Sequence, residues 1–141
     1  MNKNGDIVIV EDDEDDRYLL EDVFNSLECV NKRLYFEDGE AALAYLQDST
    51  SVPFLILSDI NMPRLDGFEL RKKLHTDAEL QIRCIPYLFF STAVNQQMVI
   101  DAYSVSAQGF FVKQGAFDEL RKTISVILEY WRRCAAPNNF A

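Results

Sequence analysis

The sequence predicts an α/β domain, a doubly wound parallel sheet of five strands covered by five helices. Three observations carry this reading. Five apolar runs of three or four residues alternate with stretches of helical periodicity. Two of them, Ile7-Val8-Ile9-Val10 and Phe54-Leu55-Ile56-Leu57, read as strands buried on both faces. Right-handed crossovers between parallel strands then restrict the topology to a doubly wound sheet.

Asp6 to Val10 is the first strand, and its β-branched residues suit it. It runs into Glu11-Asp12-Asp13-Glu14-Asp15-Asp16, acids of the kind that favour the first turn of a helix. Arg17 to Glu28 is predicted helical, with Leu19, Leu20, Val23, Phe24 and Leu27 on one face. Leu34-Tyr35-Phe36 is the second strand, and Asp38-Gly39 turns into a helix through Ala42, Tyr45 and Leu46. The third strand, Phe54 to Leu57, delivers Asp59 to its carboxyl end. Pro63 blocks continuation, because its ring pushes Met62 towards extended geometry and removes a backbone donor. Asp66 is then expected to cap a helix reaching about His75, with Glu69 completing a capping box.

Thr76 to Cys84 reads as a polar connection with room for a helical turn. Pro86 opens the fourth strand, Tyr87 to Phe90, at the strand position that tolerates proline best, and Ser91-Thr92 ends it. Asn95 to about Ser104 is a weakly patterned helix, and Phe110-Phe111-Val112 is a fifth strand ended by Lys113. The last helix, Ala116 to about Arg133, carries Phe117, Leu120, Ile124, Ile127, Leu128 and Trp131 at helical spacing. Residues 134–141 are expected to form a flexible tail behind a core of about residues 6–133.

A chain of 141 residues with 48% hydrophobic content suits one folded domain, residues 1–141. Its net charge of −9 argues against binding a nucleic-acid backbone, and no recognition module follows the last helix, so no DNA partner is expected. Cys29, Cys84 and Cys134 are odd in number and widely spaced, which reads as reduced thiols. The acidic cluster arrives too early for a signal peptide. The longest charge-free window, Cys84 to Ile100, is too polar to span a membrane. Together these imply a cytoplasmic protein.

Four of the five strands end in polar or charged groups: Glu11 and Asp12, Asp59, Thr92, and Lys113. Each alone is ordinary, since an acid after a strand usually caps a helix and a lone lysine is usually solvated. In a parallel sheet, however, all of them open on one edge, where ligands bind. Three carboxylates meeting there repel one another unless something neutralises them. A hard cation does so through oxygen ligands, and Mg²⁺ keeps water positions open for substrate oxygens. A hydroxyl and an ammonium beside it suit a phosphoryl group.

From about Asp6 to Arg133 the chain resembles the receiver domain of two-component response regulators. The matching residues are Val10-Glu11-Asp12, Asp59-Ile60-Asn61-Met62-Pro63 with Asp66-Gly67, Thr92-Ala93, and Lys113. The resemblance implies a flavodoxin-like sheet of order 2-1-3-4-5. It implies that Asp59 takes a phosphoryl group from a sensor histidine kinase or phosphotransfer protein, giving an acyl phosphate. Asp12 and Asp59 would bind Mg²⁺ directly, Glu11 through water and Asn61 through its backbone carbonyl. Thr92 would bond the phosphoryl oxygens and Lys113 would pair with them. Phe110 falls at the family's switch aromatic, although core packing explains the same ring equally well. Asp13 is left as a helix cap.

The family usually has Lys-Pro with a cis peptide after the last strand; here Gln114 follows Lys113, and a trans bond is expected. The acidic opening and the length of Thr76 to Cys84 are similar to those of stand-alone regulators found with phytochrome-type histidine kinases. The expected function is thus a stand-alone phosphoacceptor switch rather than an enzyme. It would act on a protein target not identified by the sequence, with a homodimer through the fourth helix, last strand and last helix as one option. The alternative is a degenerate receiver that binds partners without phosphorylation. A phosphatase working through an aspartyl-phosphate would need an acid two residues after the nucleophile, where Asn61 stands.

Overall fold

A computed structural model describes residues 1–48, 50, 52–92 and 94–137. Ala93 and the 138–141 part of the expected tail lie outside them. The strands are β1 (Ile7–Val10), β2 (Arg33–Phe36), β3 (Leu55–Ser58), β4 (Tyr87–Ser91) and β5 (Gly109–Val112). The helices are α1 (Glu14–Ser26), α2 (Gly39–Asp48), α3 (Gly67–Thr76), α4 (Ala78–Gln81), α5 (Gln96–Ser104) and α6 (Phe117–Arg133). All strand pairs are parallel and the sheet order is β2-β1-β3-β4-β5.

Because side chains alternate along a strand, each strand feeds two cores. Ile7, Ile9, Leu55, Leu57, Leu88 and Phe90 face the layer of α1 and α6, where Leu20, Val23, Phe24, Leu120 and Ile124 close over them. Val8, Val10, Ile56, Tyr87 and Phe89 face the other helices, packing with Ala42, Leu46, Leu70, Leu74, Leu80 and Ala102. The central strands β1, β3 and β4 are buried along their whole length, which is why their sequences lack charge.

Three expectations need correction. Helix α1 begins at Glu14 rather than Arg17, because Asp13 is its cap and accepts a bond from the Asp16 N–H at 3.0 Å. The described residues hold six helices rather than five. The additional one, α4, lies inside the stretch Thr76 to Cys84, where the Asp77 carboxylate caps Glu79 and Leu80 and Leu80 is buried. Phe117, expected on the apolar face of the last helix, is 38% exposed at its first turn.

Helix α3 starts as the sequence implies: Asp66 accepts from the Glu69 N–H at 2.8 Å, and Glu69 accepts from the Asp66 N–H at 3.2 Å. Packing reaches beyond the expected core, to Met1 at one end and Ala136 at the other, both buried. No cis peptide occurs among the described residues, so the bond after Lys113 is trans. The three cysteines are free, and no helix is long and apolar enough to cross a membrane among the described residues.

Candidate functional site

Backbone hydrogen bonding continues past the strand ends and fixes the residues that follow them. The Glu11 N–H bonds Phe36 O at 2.9 Å, the Asp59 N–H bonds Val10 O at 2.9 Å, and the Lys113 N–H bonds Ser91 O at 2.8 Å. The polar ends of β1, β3 and β5 are thereby locked in register at the carboxyl edge of the sheet. The carboxylates of Glu11, Asp12 and Asp59 converge there, with one oxygen from each lying within 4.8 Å of the others.

Lys113 reaches into this group from the end of β5, and its side chain is almost fully buried. Its ammonium donates to Glu11 and, at 3.0 Å, to Asp16; it lies 3.8 Å from Asp59 Oδ2. The other Asp59 oxygen, Oδ1, accepts from the Ile60 N–H at 2.8 Å, which leaves Oδ2 as the oxygen on the lysine side. Glu11 also accepts from the Asp13 N–H at 3.0 Å, and its carbonyl is held by Arg17 at 2.8 Å.

The electrostatics follow from burial. Burial raises the Glu11 carboxyl to about 7, against the opposing pull of Lys113. Burial draws the Lys113 ammonium down, but the bond to Glu11 and the charges of Glu11 and Asp59 outweigh it, and the net shift is upward. The Lys113 ammonium lies within 4 Å of carboxylates of Glu11, Asp16 and Asp59, and Asp12 joins the cluster with Glu11 and Asp59, so the edge is short of positive charge. Clustered carboxylate oxygens with a half-exposed mouth are the donor set that a hard divalent cation takes.

Of the other residues singled out from sequence, Thr92 and Asn61 follow β4 and β3 at this edge, both exposed. Phe110 is half-buried, its ring 6.0 Å from that of Phe89, which in turn lies 5.1 Å from Phe68. The loop after Asp59 is held from outside by Arg64, which has a positive φ of 67° and bonds buried Asp38 at 2.8 Å.

Sequence reading missed Asp16. It lay within a run of six acids and was taken with them as a solvated helix start. Reading Asp13 as the cap places Asp16 in the first turn of the helix, but its partner Lys113 lies 97 positions away and leaves no local signal.

Comparison with known proteins agrees with this geometry. The family model for the response regulator receiver domain matches residues 7–125. A probable methanogenesis regulatory protein, FilR2 of Methanothrix harundinacea, is 30% identical over 129 residues, covering 89% of this chain and 82% of its own. Response regulator Rcp1 of Synechocystis is 28% identical, over 89% of this chain and 87% of its own. The phosphorylated cyanobacterial phytochrome response regulator RcpA superposes with a TM-score of 0.84 at 27% identity, covering 94% of this chain and 97% of its own.

Proposed function

Because the chain belongs to the response regulator receiver domain family, we propose that it is a stand-alone phosphoacceptor switch of a two-component system, with Asp59 as the acceptor. The observation that carries this is the meeting of three carboxylates and one buried ammonium at the carboxyl edge, with Asp59 Oδ2 facing Lys113. Two relatives add support: RcpA was solved phosphorylated, and Rcp1 was solved with Mn²⁺ bound, the latter at a TM-score of 0.80 and 28% identity.

The donor is a phosphohistidine of a sensor histidine kinase or phosphotransfer protein. An Asp59 carboxylate oxygen attacks phosphorus; a new O–P bond forms, the N–P bond breaks, and the imidazole leaves with a proton. Asp12 and Asp59 would hold Mg²⁺ directly, with Glu11 of the same cluster acting through water; the Asn61 backbone carbonyl would complete the donor set. When bound, the ion supplies countercharge to the transferring group. Lys113 pairs with one phosphoryl oxygen, and Thr92, at the end of β4, donates to another.

The new charge draws Thr92 inward and Phe110 follows, repacking the face of α5, β5 and α6 for a protein partner or a second copy. On this reading the chain is a single domain over residues 1–141 that acts in the cytoplasm, and it catalyses only its own phosphorylation and dephosphorylation.

The test is incubation with acetyl phosphate, with and without Mg²⁺, followed by intact mass of wild type and Asp59→Asn. A phosphate-sized gain that needs Mg²⁺ and vanishes in the variant is expected. Equal gain by Asp59→Asn would overturn the assignment of Asp59. No gain by wild type from either acetyl phosphate or a phosphorylated phosphotransfer protein would favour a phosphorylation-independent binding module.

A further inference from the structure

Lys113 is held at both ends, by its own backbone and by carboxylates around its ammonium. After its N–H bonds Ser91 O, the chain passes through Gln114, Gly115 and Ala116, all exposed. A Cβ added at Gly115 would meet nothing within 4 Å, and α6 begins behind Ala116 without a side-chain cap. The Lys113 side chain is nevertheless only 4% exposed, and its ammonium is held by carboxylates across the site.

An ammonium has three donors. Glu11 takes one and Asp16 takes another at 3.0 Å, while Asp59 Oδ2 stands 3.8 Å away. Asp16 itself is well anchored: its own N–H is held by the Asp13 cap at 3.0 Å, and the next residue, Arg17, clamps the Glu11 carbonyl at 2.8 Å. The first turn of α1 is therefore a rigid mount reaching across to the end of β5.

We propose that Asp16 is a positioning residue for Lys113: it occupies one ammonium donor and, with Glu11, leaves the third aimed at Asp59. This rests on the reading of Asp59 as the phosphoacceptor. Asp16 touches neither phosphorus nor Asp59; it acts through the lysine. The phosphoryl oxygens on Asp59 then meet an ammonium already turned towards them, with no reorientation at the moment of transfer.

The experiment compares full-length wild type, Asp16→Asn and Asp16→Glu for the rate of phosphoryl gain from acetyl phosphate with Mg²⁺. It repeats the Asp16→Asn comparison in a Lys113→Met background, and reads the Lys113 ammonium protons by NMR in the unphosphorylated proteins. Asp16→Asn is expected to slow phosphoryl gain about tenfold, which corresponds to about 1.4 kcal/mol. Asp16→Glu should recover most of the rate, and Asp16→Asn should cost nothing further once Lys113 is Met. The ammonium signal should persist in wild type and Asp16→Glu and exchange away in Asp16→Asn.

An unchanged rate in Asp16→Asn, or the same fold loss with Lys113 as Met, overturns the proposal. So does equal ammonium protection in all three proteins. An acid that merely favours the start of α1 would move the melting temperature and neither readout. A wild type that takes no phosphate sinks the acceptor reading instead, and the ammonium signal then decides alone whether Asp16 fixes Lys113.

Discussion

A Cβ on Gly67 would fall 2.3 Å from the carbonyl oxygen of Asp59, and 3.0 Å from the Cα of Ile60. The first residue of α3 thus sits directly against the backbone of the proposed acceptor, and the Gly67 N–H bonds Ile60 O at 2.9 Å. Both neighbouring atoms belong to main chain that cannot swing aside. Gly67→Ala is expected to destabilise by roughly 1–3 kcal/mol, as overpacking does. The urea midpoint should fall without a change in slope, and phosphoryl gain in the folded fraction should slow because Asp59 is displaced.

Asp66→Ala provides the contrast. It removes the carboxylate that caps the Glu69 N–H, leaves the backbone N–H of residue 66 to Glu69, and puts no atom against Asp59. The expected loss is about 1 kcal/mol of stability, read from the same urea curves, with phosphoryl gain at the wild-type rate while the protein is folded.

The shortage of positive charge at the carboxyl edge gives a prediction for the cation. Mg²⁺ should raise the thermal midpoint of the wild type, by the equivalent of about 2.7 kcal/mol when the ion is at a hundredfold its dissociation constant. Calorimetry with and without a chelator checks this. Asp12→Asn and Asp59→Asn should each lose most of the increment; an equal increment in both variants would place the ion elsewhere.

Far from the site, Glu21 joins α1 to β2. It accepts from Arg33 at 2.7 and 3.0 Å and from the Tyr35 hydroxyl at 2.7 Å. The Arg33 bond leads in holding its carboxyl below the usual carboxylate value of 4.5. A carboxyl whose folded value is depressed stabilises fully above its unfolded value and loses that contribution as pH falls through the folded one. Stability should therefore drop below about pH 4.5, and Glu21→Gln should flatten that part of the curve. Denaturation profiles between pH 3 and pH 6, a range of about three units around that value, test it; parallel curves for the two proteins would contradict it.

Much of this was legible in the sequence because the signals are local. Uncharged runs such as Ile7 to Val10 mark buried strands, Asp66 with Glu69 marks a helix start, and acids or a lysine directly after strands fall on one edge once the sheet is parallel. What was missed depended on where elements begin and end or on distance. The cap of α1 was legible as Asp13, but the helix starts directly after it, three residues earlier than the apolar spacing from Arg17 implies. Helix α4 is the single turn that the polar stretch had room for; its bounds were not legible, because it rests on one cap and one buried leucine rather than on periodicity. Phe117 obeys the spacing of α6 but stays 38% exposed in its first turn, and spacing alone does not tell how far along a helix the core reaches. The contact between Asp16 and Lys113 spans 97 positions and belongs to no motif.

The most direct test of the central claim is to locate the phosphoryl group. Protein phosphorylated by acetyl phosphate with Mg²⁺ would be reduced with borohydride, which converts an acyl phosphate to the alcohol, and the altered residue would be found by peptide mass spectrometry. The account expects homoserine at position 59. Conversion at Asp12 or another carboxylate, with Asp59 unchanged in a protein that has gained phosphate, would contradict it.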